Sequence, residues 1–186
     1  MGRFNYGSKP FSAVQPVWII GTYDGEGGWD AMNAAWAGMA GRNKIMACLT
    51  STHKTVKNFL KTNAFTISMG DANHVAECDY VGIVSANDTP DKMTKTGFTA
   101  TKSELVEAPI INELPICLEC KVESYSEDTG LLIGEILNVS VTESVMTDGM
   151  VDMNKVSPIA FDPFNNIYHV LGDMVGTAWG SGKKLV

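Results

Sequence analysis

The chain has 186 residues, of which 45% are hydrophobic and 19% are charged, a balance that predicts one compact domain spanning residues 1–186. Its formal net charge of -7 disfavours nucleic acid as a partner, because nucleic-acid binding depends on Lys and Arg that neutralise phosphates. No apolar run is long enough to cross a bilayer, and the segment from Met1 to Lys9 lacks a secretory signal pattern. We therefore expect a cytoplasmic protein without membrane contact.

Short apolar runs rich in β-branched residues alternate with turn residues along the chain. They predict strands over residues 14–22, 44–49, 64–69, 115–125 and 131–141, and one more from Trp29 onward. The glycines of residues 23–28 predict a hairpin turn before Trp29, since glycine adopts the positive φ that such turns need. Several short strands joined by turns indicate a mainly antiparallel sheet, closed or nearly closed to hide its edges.

Helices are predicted to be few and short. In residues 55–62, Val56, Phe59 and Leu60 fall on one helical face and polar residues on the other, which predicts an amphipathic helix. A second helix is predicted over residues 72–81. After Ser144, prolines, glycines and asparagines interrupt any period, so we expect a wrapping tail with one further short strand. The fold class is therefore mainly β with a few short helices.

The cysteines are predicted to be reduced. Cys117 and Cys120 form a C-x-x-C pair, which raises the alternatives of a redox or zinc site. However, the surrounding residues alternate as in a strand, and strand positions three apart point to opposite faces. The two thiols are therefore expected to be structural, and no metal site is predicted.

A polar run from Thr50 to Thr55 separates a predicted strand from the first predicted helix. The first amide groups of a helix lack partners and its dipole is positive there, so this run suits an anion such as phosphate. The alternative is that Thr52 or Thr55 caps the helix while His53 and Lys54 are solvated.

Two other stretches could contact a ligand. Asn33, Ala34, Ala35 and Trp36 suit a flat molecule, because small side chains let backbone amides approach a ring. The alternative is that Trp36 is a core aromatic with small neighbours. Lys92 lies in a predicted polar loop, where a lysine taken alone would be solvated.

Eight segments, in one colinear order, carry a resemblance to a known family. They are residues 16–25, 31–36, 79–85, 91–92, 96–99, 105–109, 118–121 and 133–136. Together they resemble the flavin reductase-like family and, within it, the flavoredoxins. The resemblance implies an antiparallel split β-barrel that forms a homodimer, with one flavin mononucleotide (FMN) per subunit in a groove at the interface.

The same resemblance assigns the cofactor contacts to Asn33, Ala34, Ala35, Trp36, Thr50, Ser51, His53, Thr55, Lys92 and Phe161. It implies that the isoalloxazine ring lies near the first four residues and the phosphate around Ser51, His53 and Thr55. Relatives often carry Asn in place of Asp30, and a carboxylate beside a reduced flavin is unfavourable unless it points away or is paired. The histidine that relatives carry near Gly130 is also absent.

Two functions follow from the resemblance. The first is an NAD(P)H-dependent flavin or electron-acceptor oxidoreductase, and the alternative is an electron carrier of the flavoredoxin type that receives electrons from a redox protein. A further interpretation is that the chain is a split barrel that binds another ligand in place of flavin. Because the redox chemistry belongs to the cofactor, no side chain is predicted to be catalytic.

Overall fold

The computed structural model describes residues 2–186, which form a mainly antiparallel β structure with short helices. The strands are β1 (Gln15–Pro16), β2 (Trp18–Tyr23), β3 (Trp29–Ala34), β4 (Ala37–Met39), β5 (Lys44–Cys48), β6 (Ala64–Met69), β7 (Ala100–Lys102), β8 (Pro109–Ile111), β9 (Ile116–Ser126), β10 (Leu131–Val141), β11 (Met146–Thr147), β12 (Met150–Val151), β13 (Ile159–Asp162) and β14 (Ile167–Val170). The α-helices are α1 (Lys54–Thr62), α2 (Val75–Ile83), α3 (Lys92–Thr96) and α4 (Met153–Val156), and 3-10 turns cover Ala72–His74, Glu143–Val145 and Ser181–Leu185.

The main sheet has seven strands in the order β3-β2-β6-β9-β10-β5-β4. Its neighbouring strands are antiparallel, and it curls into half of a barrel. The pairing of β9 with β10 shifts register after Ile133 and after Ile136, and such bulges bend a strand and increase its twist. A second sheet has the order β1-β13-β14. The predicted antiparallel split β-barrel is confirmed.

Both faces of β2 are buried. Ile20 points into the barrel core, together with Phe59 of α1 and Phe65 of β6. Ile19 points to the opposite face, where it packs with Val81 of α2. All five side chains are fully or almost fully buried, and burying a large apolar side chain stabilises a fold by roughly 1.5 to 3 kcal/mol. This second core fixes α2 against the outside of β2 and β3.

Gly134 of β10 allows Phe65 to fill the barrel core. A Cβ atom added at Gly134 would overlap Cζ of Phe65 and lie 3.3 Å from Cδ1 of Ile45. We expect Gly134→Ala to lower the free energy of unfolding by about 1 to 3 kcal/mol, the usual effect of overpacking a core. Urea denaturation measures the change. Gly38→Ala in β4 is the control, because its added Cβ would meet no atom within 4 Å in residues 2–186, and equal losses would contradict this account.

The predicted helices are present with revised faces and limits. The first begins at Lys54, and Leu60 is 51% exposed although it was predicted on the buried face. Asn58 is buried instead, because its Nδ2 donates a hydrogen bond to Thr22 Oγ1 at 3.1 Å. The second predicted helix is a 3-10 turn followed by α2, which continues to Ile83.

The tail after Ser144 has more structure than predicted. It contains a β11–β12 hairpin, α4 and the two strands β13 and β14, rather than one further strand. The partner of β13 is β1, far away in sequence, and strands of four residues carry too little periodicity to be found alone. The same pairing explains why predicted strand 14–22 is divided, since β1 and β2 belong to different sheets. Among the helices of residues 2–186, none is long and apolar enough to span a membrane.

The C-x-x-C pair of β9 is structural, as predicted. Cys120 packs in the barrel core, whereas Cys117 lies opposite Ser68 of β6 and outside that core. Both thiols are free and buried, and burial raises the pKa of each to about 12. Thiols that stay protonated at neutral pH are poor nucleophiles and poor metal ligands.

Candidate functional site

The site lies along the free edge of β3, the last strand of the seven-stranded sheet. The carbonyl of Ala31 accepts a hydrogen bond of 2.6 Å from Lys92 Nζ, so it points away from β2. Backbone groups two residues apart in a strand point the same way, and the amide and carbonyl of Asn33 therefore face the same open edge. Ligands that need backbone hydrogen bonds can approach β3 from this side.

The larger of two cavities along this edge has a volume of about 340 Å³. It lies between the end of β3, the segment that follows β5, the last turn of α2 and the β13–β14 hairpin. Its lining residues are Met32, Asn33, Ala34, Ala35, Trp36, Cys48, Leu49, His53, Asp79, Gly82, Ile83, Phe161 and Tyr168. Trp36 is 43% exposed at this cavity, so it is not the core aromatic of the alternative interpretation.

The smaller cavity has a volume of about 250 Å³ and is more highly charged. It is lined by Asp30, Met32, Asn33, His53, Lys54, Thr55, Val81, Gly82, Ile83, Val84, Ser85, Ala86 and Lys92. Five of these residues also line the larger cavity, among them Asn33 and His53. The two cavities are therefore lobes of one groove, which we call the edge groove.

A buried charged network forms one wall of the smaller cavity. Lys92 Nζ lies 3.1 Å from Asp30 Oδ1, and Thr55 Oγ1 donates a hydrogen bond of 3.0 Å to Asp30 Oδ2. All three residues are at most 2% exposed. Burial lowers the pKa of Lys92, and the Asp30 carboxylate partly offsets this effect. Asp30 is thus paired, which is one of the two arrangements that the sequence left open.

Apart from Asp30 Oδ1, which faces the Lys92 charge, two polar side-chain atoms of the groove are buried without partners. Asn33 Oδ1 and His53 Nδ1 accept or donate no hydrogen bond within the part of the chain that the structure describes. Asn33 Nδ2, in contrast, donates to the carbonyl of Cys78 at 3.2 Å. Buried polar atoms are nearly always paired, so these two indicate a missing hydrogen-bonding ligand. Burial and the nearby Lys92 charge lower the pKa of His53, and both effects favour the neutral ring.

Helix α1 begins at the junction of the two lobes. His53 is its N-cap residue, and no side chain within residues 2–186 caps it. The first amide groups of the helix therefore remain available to an anion, and the helix dipole adds positive potential. The alternative that Thr55 caps this helix is wrong, because its hydroxyl is bonded to Asp30.

The structure brings most of the predicted site residues together. Eight of the ten line the edge groove: Asn33, Ala34, Ala35, Trp36, His53, Thr55, Lys92 and Phe161. Thr50 and Ser51 directly follow the lining residue Leu49 but line neither lobe. The expectation of a solvated Lys92 in a polar loop is wrong, because Lys92 is buried as the first residue of α3.

Sequence reasoning assigned no role to several residues of the groove. Asp79, Gly82 and Ile83 lie within one of the segments that carried the family resemblance, so a signal for them existed. Tyr168 had none, because it lies in the tail. Its hydroxyl donates a hydrogen bond of 2.8 Å to Asp79 Oδ1. The pKa of Tyr168 is raised mainly by burial and, to a smaller extent, by this hydrogen bond. This contact ties the β13–β14 hairpin to α2 at the larger lobe.

The fold and the site together define a split β-barrel protein with a ligand-sized groove along its edge strand. The family model described as "Flavin reductase like domain" matches residues 12–158, and the chain therefore belongs to this family of flavin-related redox proteins.

Known structures agree with this membership. Flavoredoxin of Desulfovibrio vulgaris (Miyazaki F) is 34% identical, with a TM-score of 0.92 over 98% of this chain and 100% of that one. Flavoredoxin from Methanosarcina acetivorans shares the fold at 24% identity, with a TM-score of 0.89 over 100% of both chains. An FMN-binding domain of a flavin reductases-like enzyme from Shewanella baltica OS155 shares it at 16% identity, with a TM-score of 0.78 over 88% of this chain and 90% of that one. The chain spans about half the length of the curated relatives it matches, 55% and 54%.

Proposed function

We propose that the chain binds FMN in the edge groove. The observation that carries this proposal is the pair of unpartnered polar atoms, Asn33 Oδ1 and His53 Nδ1, where an apolar lobe meets a charged one. FMN is divided in the same way as the groove: it has a flat ring with polar edges, and a phosphate on a polar chain. The neighbour from Shewanella baltica is described as FMN-binding, which supports FMN among the flavins.

The larger lobe suits the isoalloxazine ring. It contains the aromatic side chains Trp36, Phe161 and Tyr168, and the small residues Ala34 and Ala35 leave space for a flat molecule. The free backbone edge of β3 would supply hydrogen bonds to the polar edge of the ring. A bound flavin supplies the capacity to accept and donate electrons, while the chain orients its ring and limits access of water.

The smaller lobe suits the phosphate. Lys54, His53 and the uncapped N-terminus of α1 border it, and helix N-termini favour phosphate groups. Asn87 anchors the loop on the other side, since its Nδ2 donates to Thr52 O and its Oδ1 accepts from Lys57 Nζ, both at 3.0 Å. Thr55 is proposed to act through its backbone amide, because its hydroxyl is already bonded to Asp30.

As to activity, we propose an NAD(P)H-dependent flavin or electron-acceptor oxidoreductase. Trp36 and Ile83 are 43% and 73% exposed at the larger lobe, so one side of a bound ring would remain accessible to a second flat molecule. A second candidate is an electron carrier without substrate turnover, favoured by the full-length likeness to a flavoredoxin.

Anaerobic addition of NADH or NADPH to the flavin-loaded protein separates the two candidates. Bleaching of the flavin spectrum within seconds, followed by transfer to free flavin, supports the reductase. A bound flavin that ignores both nucleotides but is reduced by a redox protein supports the carrier.

We further propose a homodimeric, single-domain, cytoplasmic protein. The segment after β14 carries Met174, Val175 and Trp179, each at least 84% exposed. Apolar side chains in such numbers mark a surface that is covered by a partner, and a second copy of the chain is the partner that we propose. A single species of twice 20.1 kDa in light scattering is expected, whereas a flavin-loaded monomer would contradict it.

His53→Ala should weaken FMN more than riboflavin, because only FMN carries the phosphate. Losing a hydrogen bond to a charged group costs about 1.5 to 3 kcal/mol, or roughly ten- to a hundredfold in affinity. Titration of the apoprotein with each flavin measures the two losses. His169→Ala is the matched control, since His169 is 55% exposed in its side chain and lines neither lobe. Equal losses for FMN and riboflavin would move the phosphate site elsewhere.

A further inference from the structure

We propose that Asp30 is a positioning residue that holds the Lys92 ammonium at the smaller lobe and cancels its charge. Lys92 then acts there as a hydrogen-bond donor without net charge, and the attraction for the FMN phosphate comes from Lys54 and the N-terminus of α1. This inference rests on the proposed function, because it concerns how the same groove recognises an anionic flavin.

The geometry of Lys92 supports a donor with one bond to spare. An ammonium group has three N–H donors. Nζ donates to the Ala31 carbonyl at 2.6 Å and forms an ion pair of 3.1 Å with Asp30 Oδ1, so at least one of the three donors has no acceptor within residues 2–186. The side chain is held near the start of β3, and it lines the smaller lobe. The third donor is therefore available to a ligand.

Asp30 is held as firmly as Lys92. Its second oxygen, Oδ2, accepts the hydroxyl of Thr55 at 3.0 Å, which connects the ion pair to the first turn of α1. The two charged side chains are 2% and 3% exposed, so water screens their pairing very little. The pair therefore contributes no net charge to the lobe.

Lys54 is the contrasting cation. It lines the same lobe, is partly exposed, and forms no ion pair with a carboxylate within the described residues. Its full charge is thus available to an anion. The lobe contains three charged side chains, Asp30, Lys54 and Lys92, whose sum is the single positive charge of Lys54.

A double-mutant cycle of Asp30→Asn and Lys92→Met tests the inference by titrating FMN and riboflavin. A unit charge near the bound phosphate, at an effective dielectric constant of about 20, changes affinity by about tenfold or more. We expect Asp30→Asn to tighten FMN about tenfold at low salt, with the gain lost at high salt. Lys92→Met should weaken FMN about tenfold, and the double variant should return to within about threefold of the wild type. Riboflavin affinity should change much less in these variants, because riboflavin carries no phosphate.

Asp91→Asn and Lys95→Met are the matched controls. This neighbouring pair, at 3.2 Å, belongs to the same helix but is more than half exposed, and neither residue lines the groove. Neither control should alter FMN affinity.

Three outcomes decide the matter. Wild-type protein that binds FMN, but in which Asp30→Asn does not tighten FMN or the double variant stays as weak as Lys92→Met, overturns the inference and leaves the proposed function intact. If Lys92→Met does not fold, Asp30→Asn alone decides, and an unchanged, salt-independent FMN affinity overturns the inference. Wild-type protein that binds no flavin overturns the proposed function and the inference together.

Discussion

Lys92→Met is expected to lower the free energy of unfolding of the flavin-free protein by about 3 to 5 kcal/mol, because removing one partner of a buried ion pair leaves an uncompensated charge. The stranded group is the Asp30 carboxylate, which is 2% exposed and would keep only its bond to Thr55. The carbonyl of Ala31 would also lose its donor. Urea denaturation of the apoprotein measures the loss.

Lys95→Met provides the comparison, since its pairing with Asp91 is exposed and exposed ion pairs contribute about 0 to 1 kcal/mol. Adding Asp30→Asn to Lys92→Met should restore much of the lost stability, because it removes the stranded charge. Similar small losses for Lys92→Met and Lys95→Met would mean that Lys92 is solvated.

Gly82→Leu is expected to weaken flavin binding by about a hundredfold or more, which corresponds to about 2.8 kcal/mol. Gly82 lies in the last turn of α2 and lines both lobes of the edge groove. A Cβ atom added there would already lie 3.0 Å from Asn33 Cβ, so a larger side chain must enter the groove or displace Asn33. The helix itself should tolerate the change, because leucine is a better helix former than glycine by roughly 0.5 to 1 kcal/mol.

Two measurements on Gly82→Leu should therefore give different results. Flavin affinity falls, while the free energy of unfolding of the apoprotein stays near that of the wild type. Ala76→Leu is the control, an exposed position of the same helix that lines neither lobe, and it should change neither quantity. Unchanged flavin affinity in Gly82→Leu would place the ligand outside the edge groove.

Sequence periodicity was sufficient for the strands of the barrel. β6 and β10 begin and end at the predicted residues, because each carries a full run of apolar or alternating residues between turns. It was insufficient for β13 and β14, which are four residues long and depend on pairing with distant β1. Leu60 was misplaced for a similar reason, since the polar side chain of Asn58 finds a buried partner, Thr22, only in the folded chain.

The sequence identified most residues of the site but not the contacts between them. The family resemblance led to Lys92 and raised the question of Asp30, but residues 61 or more positions apart in sequence reveal no pairing by spacing alone. The Thr55 hydroxyl was predicted to bind a phosphate, whereas in the folded chain it donates a hydrogen bond to Asp30. Tyr168 was missed because its hydrogen bond to Asp79 depends on where the tail returns to α2.

Binding of FMN in the edge groove is the central proposal for this protein. The decisive measurement is a titration of the wild-type apoprotein with FMN, riboflavin and FAD, followed by flavin absorbance and fluorescence. We expect a yellow complex with one FMN per chain, tighter than that with riboflavin, and loss of this complex in Gly82→Leu. A protein that takes up none of the three flavins, or that binds FMN equally well in Gly82→Leu, would contradict it.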